Sequence, residues 1–468
     1  MSTASSRQRK MWYGVGILLL LVPIVYLGFP ARQTAGGDRT GGLGVLARQR
    51  QEYSLGEATL GQVDPTSSAM NLVLLGLRGP AASVLHLKAI EYQNQKQWAK
   101  LRATVDSITR LQPHYVQIWK FQGWNLAYNV SREWDKVDDR FYWVKEGIKF
   151  LIKGTDYNQG VPILFHNVGD FVQSKMGVSD EKKFFREFFE RDPDPRFMTA
   201  AGVPGPDEEV NPEGKDSYLV AYDWFVKAND KDDEDGVVGV KGMTHVFFRQ
   251  GPARALIYFA ETRAEKGLFD AHIGEWERAY REWMDVYGKM DFLGLDDKKY
   301  RLNSTEEELV EMARENGITI PEQRRLWAQN VDMVNFRQWQ EIADMERQEV
   351  MLEARRSFYL ARQAYNEARG FDKVGDDGAV EISDAQRYLE TAMQQWSAIS
   401  QARPHLFYDG DYIDDCTLIV QYYRAVHQQN GKALPEEYPL RAIWDNNESR
   451  HAEAERTFLI ETRSRALN

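Results

Sequence analysis

Residues Pro113 to Val130 read Pro-His-Tyr-Val-Gln-Ile-Trp-Lys-Phe-Gln-Gly-Trp-Asn-Leu-Ala-Tyr-Asn-Val, and this stretch decides the fold. A proline at the start favours the first turn of a helix. Apolar and aromatic residues then recur at helical spacing, and a helix so apolar around its circumference needs neighbours on both sides. The stretch therefore predicts an inner helix in a stack of helical hairpins, with both Trp119 and Trp124 largely buried.

The flanking sequence predicts further helical hairpins. If Pro113 closes a tetratricopeptide unit of about 34 residues, Ala89 takes its small position and a second helix follows, lined by apolar residues. A similar pattern precedes Pro404 near the other end of the chain. The apolar positions of these two helices are Leu101, Val105 and Ile108, and Ala392, Trp396 and Ile399. We therefore predict an all-α fold, an irregular tetratricopeptide-like solenoid.

The N-terminus predicts a membrane anchor. Residues 1–10 contain Arg7, Arg9 and Lys10, and residues 11–29 carry no charge. At about 1.5 Å per residue this segment spans about 28 Å, which matches the hydrocarbon core of a bilayer. A cleaved signal peptide is the alternative, but the apolar run is long and no small-residue cleavage site adjoins it. The positive-inside rule then places the N-terminus in the cytoplasm and the bulk of the chain on the extracytoplasmic, periplasmic side.

The sequence also predicts the division of the chain into segments. Glycine-rich sequence marks a stalk, and a loop rich in proline, glycine and acids separates two helical regions. The stretch opened by Pro321 contains no glycine or further proline until Arg369 and predicts one long bent helix or two abutting helices. The segments are a cytoplasmic N-terminus (1–10), a transmembrane helix (11–29), a stalk (30–69), a tetratricopeptide-like domain (70–191), a loop (192–214), a middle helical region (215–303) and a C-terminal helical region with the long helix and a tetratricopeptide-like hairpin (304–468).

Two shorter predictions are local. Overlapping capping boxes at Ser304 and Thr305 predict a helix from about 305 to 316 that ends at Gly317. Residues 236–240 form the strongest strand candidate, so we expect no sheet larger than a marginal hairpin.

A series of short motifs recurs in a fixed order along the chain. The motifs are Leu77-Arg78-Gly79-Pro80, Leu111-Gln112-Pro113, Trp119, Trp124-Asn125-Leu126-Ala127-Tyr128-Asn129, Pro252-Ala253-Arg254-Ala255, Val334-Asn335-Phe336 with Trp339, and Tyr408 through Asp415. In these motifs the chain resembles a bacterial family of single-span, membrane-anchored proteins with tetratricopeptide-like helices. The resemblance covers most of the chain after about residue 70, and it implies the fold and the membrane location, but no activity and no catalytic residue.

Charge and cysteine content exclude two classes of function. The formal net charge is −11, and residues 1–30 hold three basic residues and no acid, so the remainder carries 56 basic and 70 acidic groups, a net −14. Such a body repels phosphate backbones, and we expect no nucleic-acid partner. The single cysteine, Cys416, excludes an intramolecular disulfide and a cysteine-rich metal site.

The sequence contains few groups that suit catalysis or metal binding. Its eight histidines are scattered, and no H-E-x-x-H motif or glycine-rich phosphate loop is present. The acidic residues 230–236 fail the calcium-loop pattern, because Asp235 stands where glycine is needed and Lys241 where glutamate is needed. We therefore expect no catalytic residue, no cofactor and no metal. Four acids near a predicted helix start favour capping of that helix: Asp409, Asp411, Asp414 and Asp415.

The predicted function is a membrane-anchored extracytoplasmic scaffold that binds other proteins through its helical surface. The candidate binding groove comprises Trp124, Asn125, Tyr128 and Asn129, although hydrogen bonding between adjacent hairpins is the simpler explanation of the two amides. Two alternatives stay open. One is a cell-envelope hydrolase that uses paired carboxylates such as Asp411 and Asp414. The other is a structural envelope subunit whose long helix assembles with copies of itself into a homo-oligomer.

Overall fold

The computed structural model describes residues 32–33, 39–40, 78–234, 243–294, 297–367, 369–374, 380–407 and 410–463. This part of the chain is mostly helical, with eighteen α-helices and three antiparallel pairs of two-residue strands, so the all-α prediction is confirmed. None of the described helices combines the length and the hydrophobicity that a membrane span requires. The predicted transmembrane helix at 11–29, most of the predicted stalk and the strand candidate at 236–240 lie outside the described residues.

The described residues form two compact units. Residues up to Gly214, together with residues 227–234, belong to unit 1, and the others belong to unit 2. The helices of unit 1 are α1 (Arg78–Asn94), α2 (Trp98–Leu111), α3 (Val116–Trp124), α4 (Val137–Tyr157), α5 (Pro162–Phe171) and α6 (Lys182–Glu190), and α7 (Ser217–Asp233) runs from unit 2 into unit 1. Strands β1 (Arg32–Gln33) and β2 (Arg39–Thr40) form an antiparallel pair within the predicted stalk.

Two helices of unit 1 change their winding before they end. Helix α3 continues as a π-helix, Asn125–Val130, and a short 3₁₀ turn, Ser131–Glu133. Helix α5 likewise continues as a π-helix, Val172–Val178. A π-helical turn holds an extra residue relative to an α-helical turn, so it changes the direction of the side chains that follow.

The deciding stretch is a helix, but it starts three residues later than predicted. Helix α3 begins at Val116, because the backbone oxygen of Pro113 accepts a hydrogen bond from the Trp119 indole at 2.7 Å and another from Asn158 at 3.1 Å. Trp119 is 1% exposed and stacks on Tyr157 with ring centroids 5.8 Å apart. The predicted burial of Trp119 is therefore confirmed.

Helices α3 and α4 approach each other closely at two glycines. A Cβ atom added to Gly147 would lie 2.7 Å from the backbone oxygen of Gly123, which is closer than atoms tolerate. The two backbones can meet only because both positions lack a side chain. This close contact joins α3 and α4 as one helical pair of unit 1.

Buried ion pairs attach the loop at residues 192–214 to α4. The Lys145 ammonium, 1% exposed, lies 2.5 Å from Asp192 and 3.2 Å from Asp207, and Lys149 lies 2.7 Å from Asp207. The ring of Phe197 lies 4.6 Å from the Lys145 nitrogen. A segment without long helices is thereby fixed in place by charges that α4 supplies.

Unit 2 contains the remaining elements. In this unit the helices Gly251–Glu265 and Phe269–Arg281 pack as a consecutive pair, and so do Glu349–Asn366 and Asp384–Ala402. Its two strand pairs are β3 (Phe292–Leu293) with β4 (Lys299–Tyr300), and β5 (Lys373–Val374) with β6 (Val380–Glu381). The helices are α8 (His245–Arg249), α9 (Gly251–Glu265), α10 (Phe269–Arg281, continued as a π-helix, Glu282–Val286), α11 (Glu306–Asn316), α12 (Ile320–Met333), α13 (Phe336–Glu346), α14 (Glu349–Asn366), α15 (Asp384–Ala402), α16 (Asp411–Gln429), α17 (Arg441–Asn446) and α18 (His451–Arg463).

Two hydrophobic clusters stabilise unit 2. The first surrounds Trp283 and Phe336, whose rings stack at 5.3 Å, and the second surrounds Trp396 and Tyr422. Ala392, Trp396 and Ile399 belong to the second cluster, as their spacing predicts. The first cluster ends near α13, where the second begins.

The prediction of one long helix, or of two, after Pro321 is wrong. The structure has three helices there, α12, α13 and α14. Asn335 adopts a left-handed backbone conformation, with φ of 51°. This conformation interrupts the helical backbone between α12 and α13. The helix predicted from 305 to 316 is confirmed as α11, with Thr305 and Glu308 forming a capping box and Gly317 at φ of 62°.

Candidate functional site

The predicted groove residues lie where α3 passes into its π-helix. Trp124 is the last residue of the α-helical part, and Asn125, Tyr128 and Asn129 belong to the π-helical part. Such π-helical turns are rare and occur frequently at functional sites.

Trp124 is an exposed residue and not a buried one. Its side chain is 44% exposed, so the expectation that both tryptophans lie inside the stack is wrong for this one. Five positions separate Trp119 from Trp124, and on a helix this spacing directs two side chains to different sides. Neighbouring helices cover the side that holds Trp119 and leave much of the Trp124 indole open.

Trp124 belongs to a small surface that we call the aromatic platform, formed by Trp124, Tyr128 and Lys175. The rings of Trp124 and Tyr128 stack with centroids 5.9 Å apart. The Lys175 ammonium lies 3.8 Å from the centre of the Tyr128 ring. The Tyr128 hydroxyl lies 3.2 Å from the Ser174 hydroxyl, within hydrogen-bonding distance. Two π-helical segments thus meet at the platform, one from α3 and one from α5.

The electrostatics of the platform follow from partial burial. Burial raises the pKa of the Tyr128 phenol, which keeps it neutral, and the hydrogen bond with Ser174 opposes that shift. Burial lowers the pKa of Lys175, and nearby Arg132 lowers it further. A partly desolvated ammonium above an aromatic face makes a stronger cation–π contact than one in open water. Lys175 therefore helps to hold the Tyr128 ring, which in turn supports the indole.

The two asparagines of the predicted groove differ in exposure. Asn125 is fully buried, while Asn129 is half-buried. Asn129 donates a hydrogen bond from its amide nitrogen to the Asn125 side-chain oxygen at 3.0 Å. The amide nitrogen of Asn125 has no hydrogen-bond partner among the described residues. The two amides are thus paired within one helix and do not link adjacent hairpins.

Sequence reasoning missed Lys175 and Ser174. Both lie in a segment predicted to be helical, but nothing in their spacing connects them to a helix more than forty residues earlier. Only the packing of α5 beside α3 brings them to Tyr128. Lysine and serine on a helix ordinarily face solvent, so the sequence does not indicate that Lys175 and Ser174 contact Tyr128.

A second notable group of polar side chains lies in unit 2, centred on Arg355. The guanidinium of Arg355 lies 2.6 Å from Glu346 and 2.6 Å from Asp415, and 5.0 Å from the centre of the Trp396 ring. Burial opposes the charge on Arg355, but Asp415 and Glu346 outweigh it and raise its pKa well above the ordinary value. Buried ion pairs of this kind need good geometry to offset desolvation.

The acids predicted near the start of α16 have different surroundings. Asp415 pairs with Arg355, while Asp414 lies 2.5 Å from Arg450. Asp411 is exposed in the first turn, and Asp409 lies outside the described residues. Within the described part of the chain, no group of histidine, cysteine and acidic residues has the arrangement of a metal site.

The chain matches no protein-family model, and no curated protein is significantly similar to it in sequence.

Proposed function

We propose that this protein is a membrane-anchored scaffold that binds other proteins on the extracytoplasmic side, with the aromatic platform as a contact surface. The observation that carries this proposal is the exposed indole of Trp124, stacked on Tyr128 beside Lys175. Tryptophan and tyrosine are among the side chains that supply most of the binding energy at protein interfaces.

The platform is also held in one conformation before a partner arrives. Tyr128 packs edge-on against Phe171 with ring centroids 5.4 Å apart, and its hydroxyl is close to Ser174. Rings that are already immobilised lose little conformational entropy on binding, so more of the contact energy remains available for affinity. This favours a binding surface over a loosely exposed core residue.

The helical architecture also supports the proposal of a protein-binding scaffold. Consecutive helices pair in both units, as they do in an irregular tetratricopeptide-like solenoid, which is the architecture that we propose. Stacked hairpins of this type create extended surfaces suited to peptides and helices. The proposed anchor, residues 11–29, would keep those surfaces close to a membrane.

Mild crosslinking in native membranes, followed by affinity purification of the full chain, tests this function. The chain with Trp124→Ala should recover markedly less of the partner protein than the unaltered chain. Trp134→Ala is the matched control, because that indole is 41% exposed and also stacks on a neighbouring ring, Trp143. Equal recovery from all three chains would argue against the aromatic platform as the contact surface.

A further inference from the structure

One amine and two carboxyl groups of unit 1 meet in a buried group that we call the lysine–aspartate triad: Lys145, Asp192 and Asp207. Their side chains are 1%, 3% and 2% exposed. Lys145 lies on α4, while both acids belong to the loop at residues 192–214. The Lys145 nitrogen lies 2.5 Å from Oδ2 of Asp192 and 3.2 Å from Oδ2 of Asp207. The triad therefore holds a lysine nitrogen against a carboxyl group and shields both from solvent.

Aromatic rings surround the reactive nitrogen of the triad. The Lys145 nitrogen lies 4.6 Å from the centre of the Phe197 ring and 5.6 Å from the centre of the Phe141 ring. Phe141 is itself buried in the core of unit 1. A lysine enclosed in hydrophobic surroundings is one of the forms in which proteins use this residue as a nucleophile. The surroundings of Lys145 thus suit attack on a neighbouring carbon atom.

The Asp192 carboxyl group is fixed in the orientation that such an attack requires. Its Oδ1 atom accepts a hydrogen bond from the backbone N–H of Asp194 at 2.9 Å. The backbone N–H of Asp192 donates to the Gly205 carbonyl oxygen at 2.8 Å, which fixes the start of the loop. A backbone N–H at this position stabilises the negative charge that develops on an oxygen when a nucleophile adds to its carbon. The other oxygen, Oδ2, contacts Lys145 and is the one placed to leave.

Asp207 is placed to carry a proton between the two reacting groups. Its Oδ2 atom lies 3.2 Å from the Lys145 nitrogen, within the reach of a general base. The same atom lies 2.7 Å from the nitrogen of Lys149, which is 15% exposed and also pairs with the exposed Glu209. Lys149 thus positions the Asp207 carboxylate, whereas Lys145 is the amine that both buried acids enclose.

We propose that Lys145 and Asp192 condense to an intramolecular isopeptide bond, with Asp207 as the proton carrier. The Lys145 nitrogen bonds to the side-chain carboxyl carbon of Asp192, and the bond from this carbon to Oδ2 breaks. Of the three ammonium hydrogens, one stays on the amide nitrogen and the other two leave with Oδ2 as water. Asp207 accepts one of these protons from the nitrogen and returns it to Oδ2, so it ends the reaction unchanged. The charges of the ammonium and the carboxylate cancel, and the reaction needs no oxidant or other co-reactant.

The fold favours the amide over the ion pair from which it forms. The two reactants are held in contact, which removes the entropic cost of bringing them together. Exclusion of water protects the product from hydrolysis. The reaction also replaces two charges, whose burial carries a desolvation cost, by one neutral amide.

The isopeptide bond links α4 to the loop across 47 positions of the chain. The sequence contains a single cysteine, Cys416, so an intramolecular disulfide cannot fasten this loop. A cross-link between distant positions restricts the unfolded chain and thereby stabilises the folded one. The bond between Lys145 and Asp192 supplies this restraint without depending on an oxidising environment.

Mass spectrometry of the full chain, purified in detergent, tests the proposal. The unaltered chain should be lighter than its sequence by the mass of one water molecule. Trypsin should release a branched peptide that joins the segment around Lys145 to the segment around Asp192. Separate linear peptides with cleavage after Lys145 would overturn the proposal, and so would a cross-link that starts from Lys149.

Three variants assign the roles within the triad. Lys145→Arg keeps the positive charge but should abolish the branched peptide, because a guanidinium stays protonated and does not attack a carboxyl group. Asp207→Asn should leave most of the chain without the cross-link, because loss of a general base slows a reaction by about a hundredfold or more. Lys153→Arg, at an exposed position of α4, is the control and should lose water like the unaltered chain.

Circular dichroism verifies that each variant is folded. Water loss by folded Lys145→Arg would overturn the assignment of the nucleophile. Unaltered cross-linking of folded Asp207→Asn would overturn the assignment of the proton carrier.

Discussion

Trp119 and Trp124 lie five positions apart on one helix, and the first is 1% exposed while the second is 44% exposed. Trp119 is fixed on the inside by its hydrogen bond to the Pro113 backbone oxygen at 2.7 Å. Trp124 is fixed on the outside by its stack against Tyr128. One helix thus provides both an anchor in the core of unit 1 and the exposed part of the aromatic platform.

Alanine substitutions should separate these two roles. Trp119→Ala should destabilise the protein by about 3–5 kcal/mol, because it leaves a cavity that the neighbours close only in part. Trp124→Ala should cost about 1 kcal/mol or less, since much of its surface is already in water. Thermal unfolding followed by circular dichroism measures both effects. Equal destabilisation by the two substitutions would contradict the inside and outside assignments.

Removal of the buried lysine should release the loop at residues 192–214. Lys145→Met leaves Asp192 without its closest cation, and an unpaired buried charge costs about 3–5 kcal/mol. Limited proteolysis should then cleave within the loop, which should resist cleavage in the unaltered chain. Lys153→Met is the control, because Lys153 lies two turns further along α4 and is exposed. A loop equally resistant in both variants would show that these ion pairs do not hold it.

The stability of the protein should fall as the pH drops from about 6.5 to about 4, partly through one histidine. Burial lowers the pKa of His166 from 6.5 to about 4. In this pH range the unfolded chain takes up a proton at that position and the folded chain does not, so acid favours unfolding. This group accounts for about 3 kcal/mol of the loss.

Replacement of His166 isolates that contribution. His166→Gln should reduce the loss of stability between the two pH values, whereas His405→Gln, at an exposed histidine that lies 2.7 Å from Glu341, should not reduce it. Urea unfolding at a series of pH values gives the comparison. Parallel pH profiles for the His166 variant and the unaltered chain would show that this histidine is not the responsible group.

The break between α12 and α13 should depend on the residue at position 335. Asn335 has φ of 51°, a conformation that asparagine and glycine tolerate and alanine does not. Asn335→Ala should therefore destabilise the protein by about 1 kcal/mol, while Asn335→Gly should be nearly neutral. Thermal unfolding compares the two variants. Equal stability of the Asn335→Ala and Asn335→Gly variants would show that the left-handed conformation does not separate α12 from α13.

Local sequence patterns predicted the helices well and their breaks less well. The spacing of Leu101, Val105 and Ile108 identifies the buried face of α2, and all three are buried. The end of α11 at Gly317 follows from glycine at a left-handed position. The helix break at Asn335 was not predicted, because asparagine occurs both within helices and at their ends. Only the surrounding packing decides its conformation.

The candidate site was only partly predictable, because periodicity shows which residues share a face and not whether a neighbour covers it. That is why Trp124, which stacks on Tyr128, was expected to be buried, whereas its side chain is 44% exposed. The ion pairs around Arg355 are even less predictable from the sequence. Glu346 and Arg355 lie on consecutive helices, but His272 and Asp415 come from helices far from them in sequence, and the four side chains meet only in the folded chain.

The central claim is that the exposed Trp124 indole contacts a partner protein, and site-specific photo-crosslinking tests it most directly. A photoreactive phenylalanine analogue replaces Trp124 in one full-length chain and Trp134 in another, and both are irradiated in intact cells. We predict that position 124 forms a discrete adduct with another protein and that position 134 does not. An adduct at neither position, or equal adducts at both, would contradict the assignment of the aromatic platform as the binding surface.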